Sequence, residues 1–112
     1  MKKIEAIIRP ERLSAVQHAL GKAGCMGLMI TEIEGYGKQK GIVQQWRGEK
    51  YKIEILPKIK IETVVRDNEL ECIIKTIIDN SKTGEIGDGK IFIYDIVTAI
   101  RIRTGEEGEG AL

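Results

Sequence analysis

The residues best suited to chemistry form one run: Thr83, Gly84, Glu85, Ile86, Gly87, Asp88, Gly89 and Lys90. Three glycines let the backbone approach a ligand closely and turn N–H groups toward an anion. Lys90 adds a point charge suited to phosphate. The spacing is not that of a P-loop, and such a run also serves as an ordinary tight turn from helix to strand, with Gly84 as the helix cap.

Three further groups are candidates. Arg101 and Arg103 stand two apart in a strand-like stretch, so they would point the same way, about 7 Å apart, and their forked donors could bracket a polyphosphate. A solvated strand face accommodates them equally well. Gly35, Tyr36, Gly37, Lys38, Gln39, Lys40 and Gly41 combine two lysines with adaptable backbone. Gln39 supplies a neutral oxygen for a metal ion held mainly by phosphate oxygens; a polar hairpin entry is the plainer alternative. Lys58, Lys60 and Glu62 fall on the polar face of a strand, where solvent exposure is the simpler reading. No nucleophile–base pair is evident. His18 is the only histidine and falls on a helix surface. Cys25 and Cys72 lack CxxC spacing and are expected to pack as small apolar residues, which gives no basis for a zinc site.

These groups must be positioned by regular elements. Ile4, Ala6 and Ile8 alternate as a strand over residues 2–9. Pro10 opens a helix carrying Leu13, Val16, Leu20 and Ala23, and Gly24 stops it. A second strand runs from Leu28 to Glu34, broken by Gly35-Tyr36-Gly37. Residues 38–52 show no period and form a long connection of the kind that is usually functional or disordered. Ile53, Ile55, Ile59, Ile61, Thr63 and Val65 share one face of a third strand, with Glu54, Lys58, Lys60 and Glu62 on the other. Asp67-Asn68 offers a helix cap with Glu71 three residues on, and Leu70, Ile73, Ile74, Ile77 and Ile78 make a helical stripe. Ile91-Phe92-Ile93 reads as a short buried strand and residues 96–103 as a last one, ahead of an acidic, glycine-rich tail. Two βαβ halves built alike give an α+β, ferredoxin-like βαββαβ domain spanning residues 1–112, with an antiparallel sheet covered on one face. The uncovered face implies a homo-oligomer.

The 112 residues suit one domain, and 42% hydrophobic with 31% charged residues excludes disorder, collagen and coiled coil for the bulk of it. No apolar run reaches the roughly 18 residues of a membrane span, and no signal-peptide pattern opens the chain, so a cytoplasmic protein is expected. Eighteen basic against seventeen acidic residues leave a formal charge of +1, which argues against nucleic-acid or membrane-surface binding. An aromatic content of 4% is too low for base-stacking platforms.

Taken in order, these pieces resemble the PII family of nitrogen-regulatory signal-transduction proteins across essentially the whole chain. The resemblance is carried by Arg9-Pro10-Glu11, by residues 35–41, by Arg47-Gly48 and Tyr51, and by the run Leu56 to Glu62. It is carried most strongly by Thr83 to Ile93, followed by Ile100 to Glu106. It implies a non-catalytic homotrimer that binds ATP or ADP in the clefts between subunits and senses 2-oxoglutarate with Mg²⁺ and ATP. By matching position, Gly87, Asp88, Gly89 and Lys90 would wrap the phosphates, and Arg101 and Arg103 would reach them from the neighbouring subunit. Gly35, Gly37 and Lys38 would close the cleft, with Val64 and Met29 beside the adenine. Gln39 would ligate Mg²⁺. Gln39, Lys40, Gly41 and Lys58 would hold 2-oxoglutarate, Lys58 by its distal carboxylate. Residues 37–55 would form the flexible T-loop that docks on a target protein, such as an ammonium transporter or a nitrogen-metabolism enzyme; the membrane would be reached only through such a transporter.

The chain departs from the family at a few positions. Met29 stands where Thr is usual, so that hydroxyl is missing. Trp46, Glu49 and Lys50 differ from the nucleotidylation signature, which leaves Tyr51 as a candidate modification site. Glu49 occupies the place of a phosphoserine found in some members. Three alternatives remain: control of nitrogenase by a PII-like regulator, a small trimeric enzyme on the same fold, and an RNA-binding ferredoxin-like domain. The enzyme lacks converging His, Cys or paired carboxylates. The RNA-binding domain lacks sheet aromatics and basic charge.

Overall fold

Alternation in the first residues produces β1 (Lys2–Ile8), whose Ile4, Ala6 and Ile8 are buried. Pro10 opens a short 3₁₀ turn (Pro10–Arg12) that leads into α1 (Leu13–Lys22), and Val16 and Leu20 turn inward. Gly24 follows with φ +86°, the left-handed conformation that ends helices without a Cβ penalty. Then come β2 (Met29–Gln39), the two-residue strands β3 (Gln45–Trp46) and β4 (Glu49–Lys50), β5 (Lys52–Val65), α2 (Leu70–Ser81) and β6 (Lys90–Asp95). This computed structural model describes the backbone of every residue except 26, 40–44, 47–48 and 51, and the side chains except those of 26 and 36–54.

The sheet order is β2-β5-β1-β6 with every neighbouring pair antiparallel. With a helix after β1 and another after β5, this is the ferredoxin-like fold. Ile4, Ala6, Ile8, Ile59, Ile61 and Val65 from the sheet meet Val16, Leu20, Ile73 and Ile77 from the helices in one core. Each fully buried Ile, Leu or Val among them stabilises the fold by about 1.5–3 kcal/mol. Cys25 joins this core, its Sγ 3.5 Å from Thr63 Oγ1; Cys72 is exposed, contrary to the expectation that both would pack inside. His18 is exposed, as expected. Among the described residues no helix is long and apolar enough to cross a membrane.

Several element boundaries differ from the sequence reading. Gly35-Tyr36-Gly37 does not break β2: pairing with β5 continues from Met29↔Glu62 to Gln39↔Lys52. Ladder partners on β5 satisfy this backbone, and Gly35 needs no left-handed φ. It is glycine because a Cβ there would meet Lys58 Cγ at 2.8 Å. The long connection therefore begins after Gln39, and β3 pairs with β4 inside it. The helix entry is also displaced. Residues 67–69 form a 3₁₀ turn, the Arg66 N–H donates to Glu69 Oε1, and Asp67 accepts from the chain's amino terminus.

The C-terminal segment differs most. Ile91-Phe92-Ile93 lies on the sheet edge, with Ile91 half-buried and Phe92, Ile93 and Tyr94 exposed, because the helices cover the sheet centre. Residues 96–103 form no strand. They hold one isolated bridge, Ile100↔Glu107, and a turn closed by the Gly105 N–H on the Arg101 carbonyl at 2.7 Å. Left-handed Gly105 lets the chain reverse there, so these backbone groups are satisfied locally. The tail then forms a 3₁₀ turn over Gly108–Ala111.

The helix-free face carries a charged lattice. Glu5 and Glu62 are directly opposed on β1 and β5, an unfavourable like-charge pair on its own. Lys3 lies 2.5 Å from Glu62, Lys60 lies 3.8 Å from Glu5 and 3.7 Å from Glu62, and the Tyr94 hydroxyl donates to Glu5 Oε2 at 2.6 Å. The hydrogen bond from Lys3 holds the Glu62 carboxyl below the usual carboxylate range.

Candidate functional site: the loop between α2 and β6

The glycine-rich run lies between the end of α2 and the start of β6. Ser81 closes the helix by donating its hydroxyl to the Ile77 carbonyl at 2.6 Å. Beyond it, one carboxylate organises the loop. Asp88 accepts from the Thr83 hydroxyl, from the Thr83 N–H at 2.9 Å, from the Gly84 N–H at 2.9 Å and from Arg9 Nε at 3.0 Å. These donors, with the Thr83 hydroxyl foremost, hold the Asp88 carboxyl far below its ordinary range. The carboxylate is thus committed to the loop's own shape.

Two cations hold the next two carbonyls. Arg9 Nη2 donates to the Ile86 carbonyl at 3.0 Å, and Lys58 Nζ donates to the Gly87 carbonyl at 2.6 Å. Among the described residues all peptides are trans. In a trans peptide the N–H points opposite to the carbonyl, so the N–H groups of Gly87 and Asp88 face away from the two cations. Gly87 and Gly89 have φ of +105° and +99°. A Cβ on Gly89 would come within 1.7 Å of the Ile7 carbonyl, so β1 and this loop touch backbone to backbone. The outcome is outward amides with positive charge behind them, an arrangement suited to an anion.

Lys58 corrects the sequence reading. It was expected on an exposed strand face, yet it is only 8% exposed, with its stem against Gly35. Burial, and secondarily the nearby Arg9 charge, lowers its pKa from the ordinary lysine value. The structure therefore brings Gly35, Lys58, Gly87 and Asp88 into one cluster. Gly89 leads from it into β6, where Lys90 is exposed at the strand's first position.

Met29 and Val64 are brought together elsewhere. Both line a groove of about 510 Å³ at the other end of the β2–β5 pairing, with Cys25, Leu28, Arg66 and Leu112. Val64 and Lys58 are six residues apart on one strand, a span of about 20 Å. Arg101 and Arg103 do not form the expected parallel pair. Arg101 donates to Glu106 Oε1 at 3.0 Å and to the Leu112 carbonyl at 3.2 Å, while Arg103 is exposed in the turn. Neither is joined to the glycine loop within this chain. Gly37 is opposite Glu54 in the β2–β5 register, with Lys38 and Gln39 paired to Ile53 and Lys52. The side chains of Lys38 and Gln39, and Lys40, Gly41 and Tyr51 altogether, lie outside the described residues.

Two contributors escaped the residue-by-residue reading. Arg9 stands out only within the tripeptide Arg9-Pro10-Glu11, and Thr83 only as the start of the glycine run. The available signal was an arginine fixed at a strand end by the following proline, since residues before proline are held extended.

Comparison with known proteins agrees with this fold. Residues 1–106 match the family described as Nitrogen regulatory protein P-II. Nitrogen regulatory protein P-II 2 of Methanothermobacter thermautotrophicus is 51% identical over 112 residues, covering all of this chain and 97% of that protein. Nitrogen regulatory protein P-II 1 of Escherichia coli K12 is 49% identical, with both chains covered in full. The structure of Arabidopsis thaliana PII bound to citrate superposes with a TM-score of 0.81 at 40% identity, covering 99% of this chain and 91% of that one.

Proposed function

The chain belongs to the P-II family of nitrogen regulatory proteins, and from that premise we propose that it is a homotrimeric, cytoplasmic sensor of ATP or ADP and of 2-oxoglutarate. It acts by binding rather than by catalysis, and its T-loop controls a target protein of nitrogen uptake or metabolism. The observation that carries this reading is the α2–β6 loop, with the Gly87 and Asp88 amides turned outward and Arg9 and Lys58 behind them. The groove lined by Met29 and Val64 would seat an adenine whose phosphates reach the α2–β6 loop of a neighbouring subunit, since the two sites lie too far apart to share one nucleotide within a single chain.

A trimer is supported by the helix-free sheet face and by the exposed Phe92, Ile93, Ile100 and Ile102. It also accounts for Arg101 and Arg103 standing apart from their own chain's loop, since the neighbouring subunit would bring them to it. 2-Oxoglutarate carries a carboxylate for Lys58, and its 2-oxo acid end chelates a cation. Gln39 with ATP phosphate oxygens makes a donor set suited to Mg²⁺, which commonly keeps few protein ligands. The relative bound to citrate, another polycarboxylate, supports such an anion site.

The test is calorimetric titration with 2-oxoglutarate under four conditions: no nucleotide, ADP with Mg²⁺, ATP with EDTA, and ATP with Mg²⁺. Binding confined to the last is expected. Equal binding in all four refutes the metal bridge, and absence of ATP binding altogether refutes the nucleotide reading.

A further inference from the structure

We propose that Arg9 is the positioning residue that sets the α2–β6 loop for anion binding, acting through the loop without touching the nucleotide. The inference rests on the nucleotide-binding reading above and gives it a residue that the phosphate contacts alone do not reveal.

Arg9 is fixed from both sides. Before it, β1 is paired in the sheet up to Ile8↔Ile59; after it, Pro10 holds it extended, at φ −67° and ψ 140°. Its carbonyl also accepts the Arg12 N–H at 3.0 Å. From this anchored backbone the guanidinium makes two bonds to the loop. Nε reaches Asp88 Oδ1 and Nη2 reaches the Ile86 carbonyl, both at 3.0 Å. A planar fork can hold a carboxylate and a carbonyl two residues apart at once, whereas an ammonium offers only a point charge.

The consequence follows from peptide geometry. Turning the Ile86 carbonyl inward turns the Gly87 N–H outward. Holding Asp88 keeps its carboxylate on Thr83 and Gly84, away from any incoming anion. Without Arg9, the Ile86–Gly87 peptide is free to rotate, and the Asp88 charge loses a compensating cation beside the phosphate site. Lys58 performs the matching task one peptide later, on the Gly87 carbonyl.

The full chain should be compared with Arg9→Gln, Arg9→Lys and the control Arg12→Gln. ATP and ADP affinities are read by calorimetry; adenosine affinity and the amide resonances of Gly84, Gly87 and Gly89 are read by NMR. Loss of a charge-assisted contact predicts that Arg9→Gln weakens ATP and ADP about tenfold or more. Adenosine binding should be unchanged, the loop amides should shift, and Arg12→Gln should behave as wild type. Arg9→Lys, which keeps the charge and loses the fork, should rescue only in part; if Arg9→Gln does not fold, this variant decides alone. ATP affinity in Arg9→Lys and every folded Arg9→Gln sample within about twofold of a wild type that binds ATP overturns this inference only. Equal loss of adenosine also overturns it, as general damage. A wild type that binds no ATP overturns the nucleotide reading and this inference together.

Discussion

The Lys58 ammonium donates to the Gly87 carbonyl at 2.6 Å, and its stem crosses Gly35 where a Cβ would come within 2.8 Å. One buried cation thereby ties the β2–β5 hairpin to the α2–β6 loop. A carboxylate ligand drawn to Lys58 would act on both elements, and so on the residues that lead out of the hairpin.

Lys58→Met keeps the hydrocarbon stem and removes the charge. Losing one charge-assisted bond of about 1.5–3 kcal/mol predicts a tenfold to hundredfold loss of 2-oxoglutarate affinity in the presence of Mg-ATP. Stability should change little, since the variant also relieves the desolvation of a buried ammonium. Calorimetry beside thermal unfolding checks both, and unchanged 2-oxoglutarate affinity would remove Lys58 from that site.

Gly89 and Gly84 both have positive φ, but their surroundings differ. A Cβ on Gly84 meets nothing within 4 Å, while one on Gly89 collides with the Ile7 carbonyl at 1.7 Å. Gly84→Ala should therefore cost about 1–2 kcal/mol, the left-handed penalty alone. Gly89→Ala must also push β1 and β6 apart, and it should cost more than Gly84→Ala. Chemical denaturation of the two variants gives the order directly, and equal losses would contradict the backbone contact.

Asp88 gives a pH dependence of defined sign. Its folded pKa lies below its unfolded value of about 4, so the stability it contributes is present above pH 4. That contribution is lost as pH falls below 4 toward the depressed folded value. Asp88→Asn should therefore unfold at a lower temperature than wild type at pH 7, and the difference should shrink as pH drops from 4 to 3. A difference independent of pH would assign the effect to packing.

Lys90 and Arg103 are both exposed, so replacing either with alanine should leave the fold intact while weakening ATP binding about tenfold to hundredfold. If each site is shared between subunits, mixing Lys90→Ala chains with Arg103→Ala chains restores sites in which both residues are present. Verified mixed trimers that show no recovery would place the site within one chain.

The sequence by itself determined the core and the element types, because period-two and period-3.6 apolar patterns report directly on which faces are buried. Ile4, Ala6 and Ile8, and Ile73 and Ile77, are inside as their spacing requires. It also marked the glycine run, because Gly89 at a backbone contact has no substitute. Only the tertiary structure decided what touches that run. Arg9 and Asp88 are 79 residues apart and Lys58 and Gly87 are 29 apart, so local pattern is blind to both bonds. The same holds for Lys58, which alternation assigns to solvent and which the folded loop buries. Arg101 and Arg103 alternate like a strand, but a strand needs a neighbour to pair with. In this chain the left-handed turn at Gly105 and the bridge from Ile100 to Glu107 take up that backbone instead.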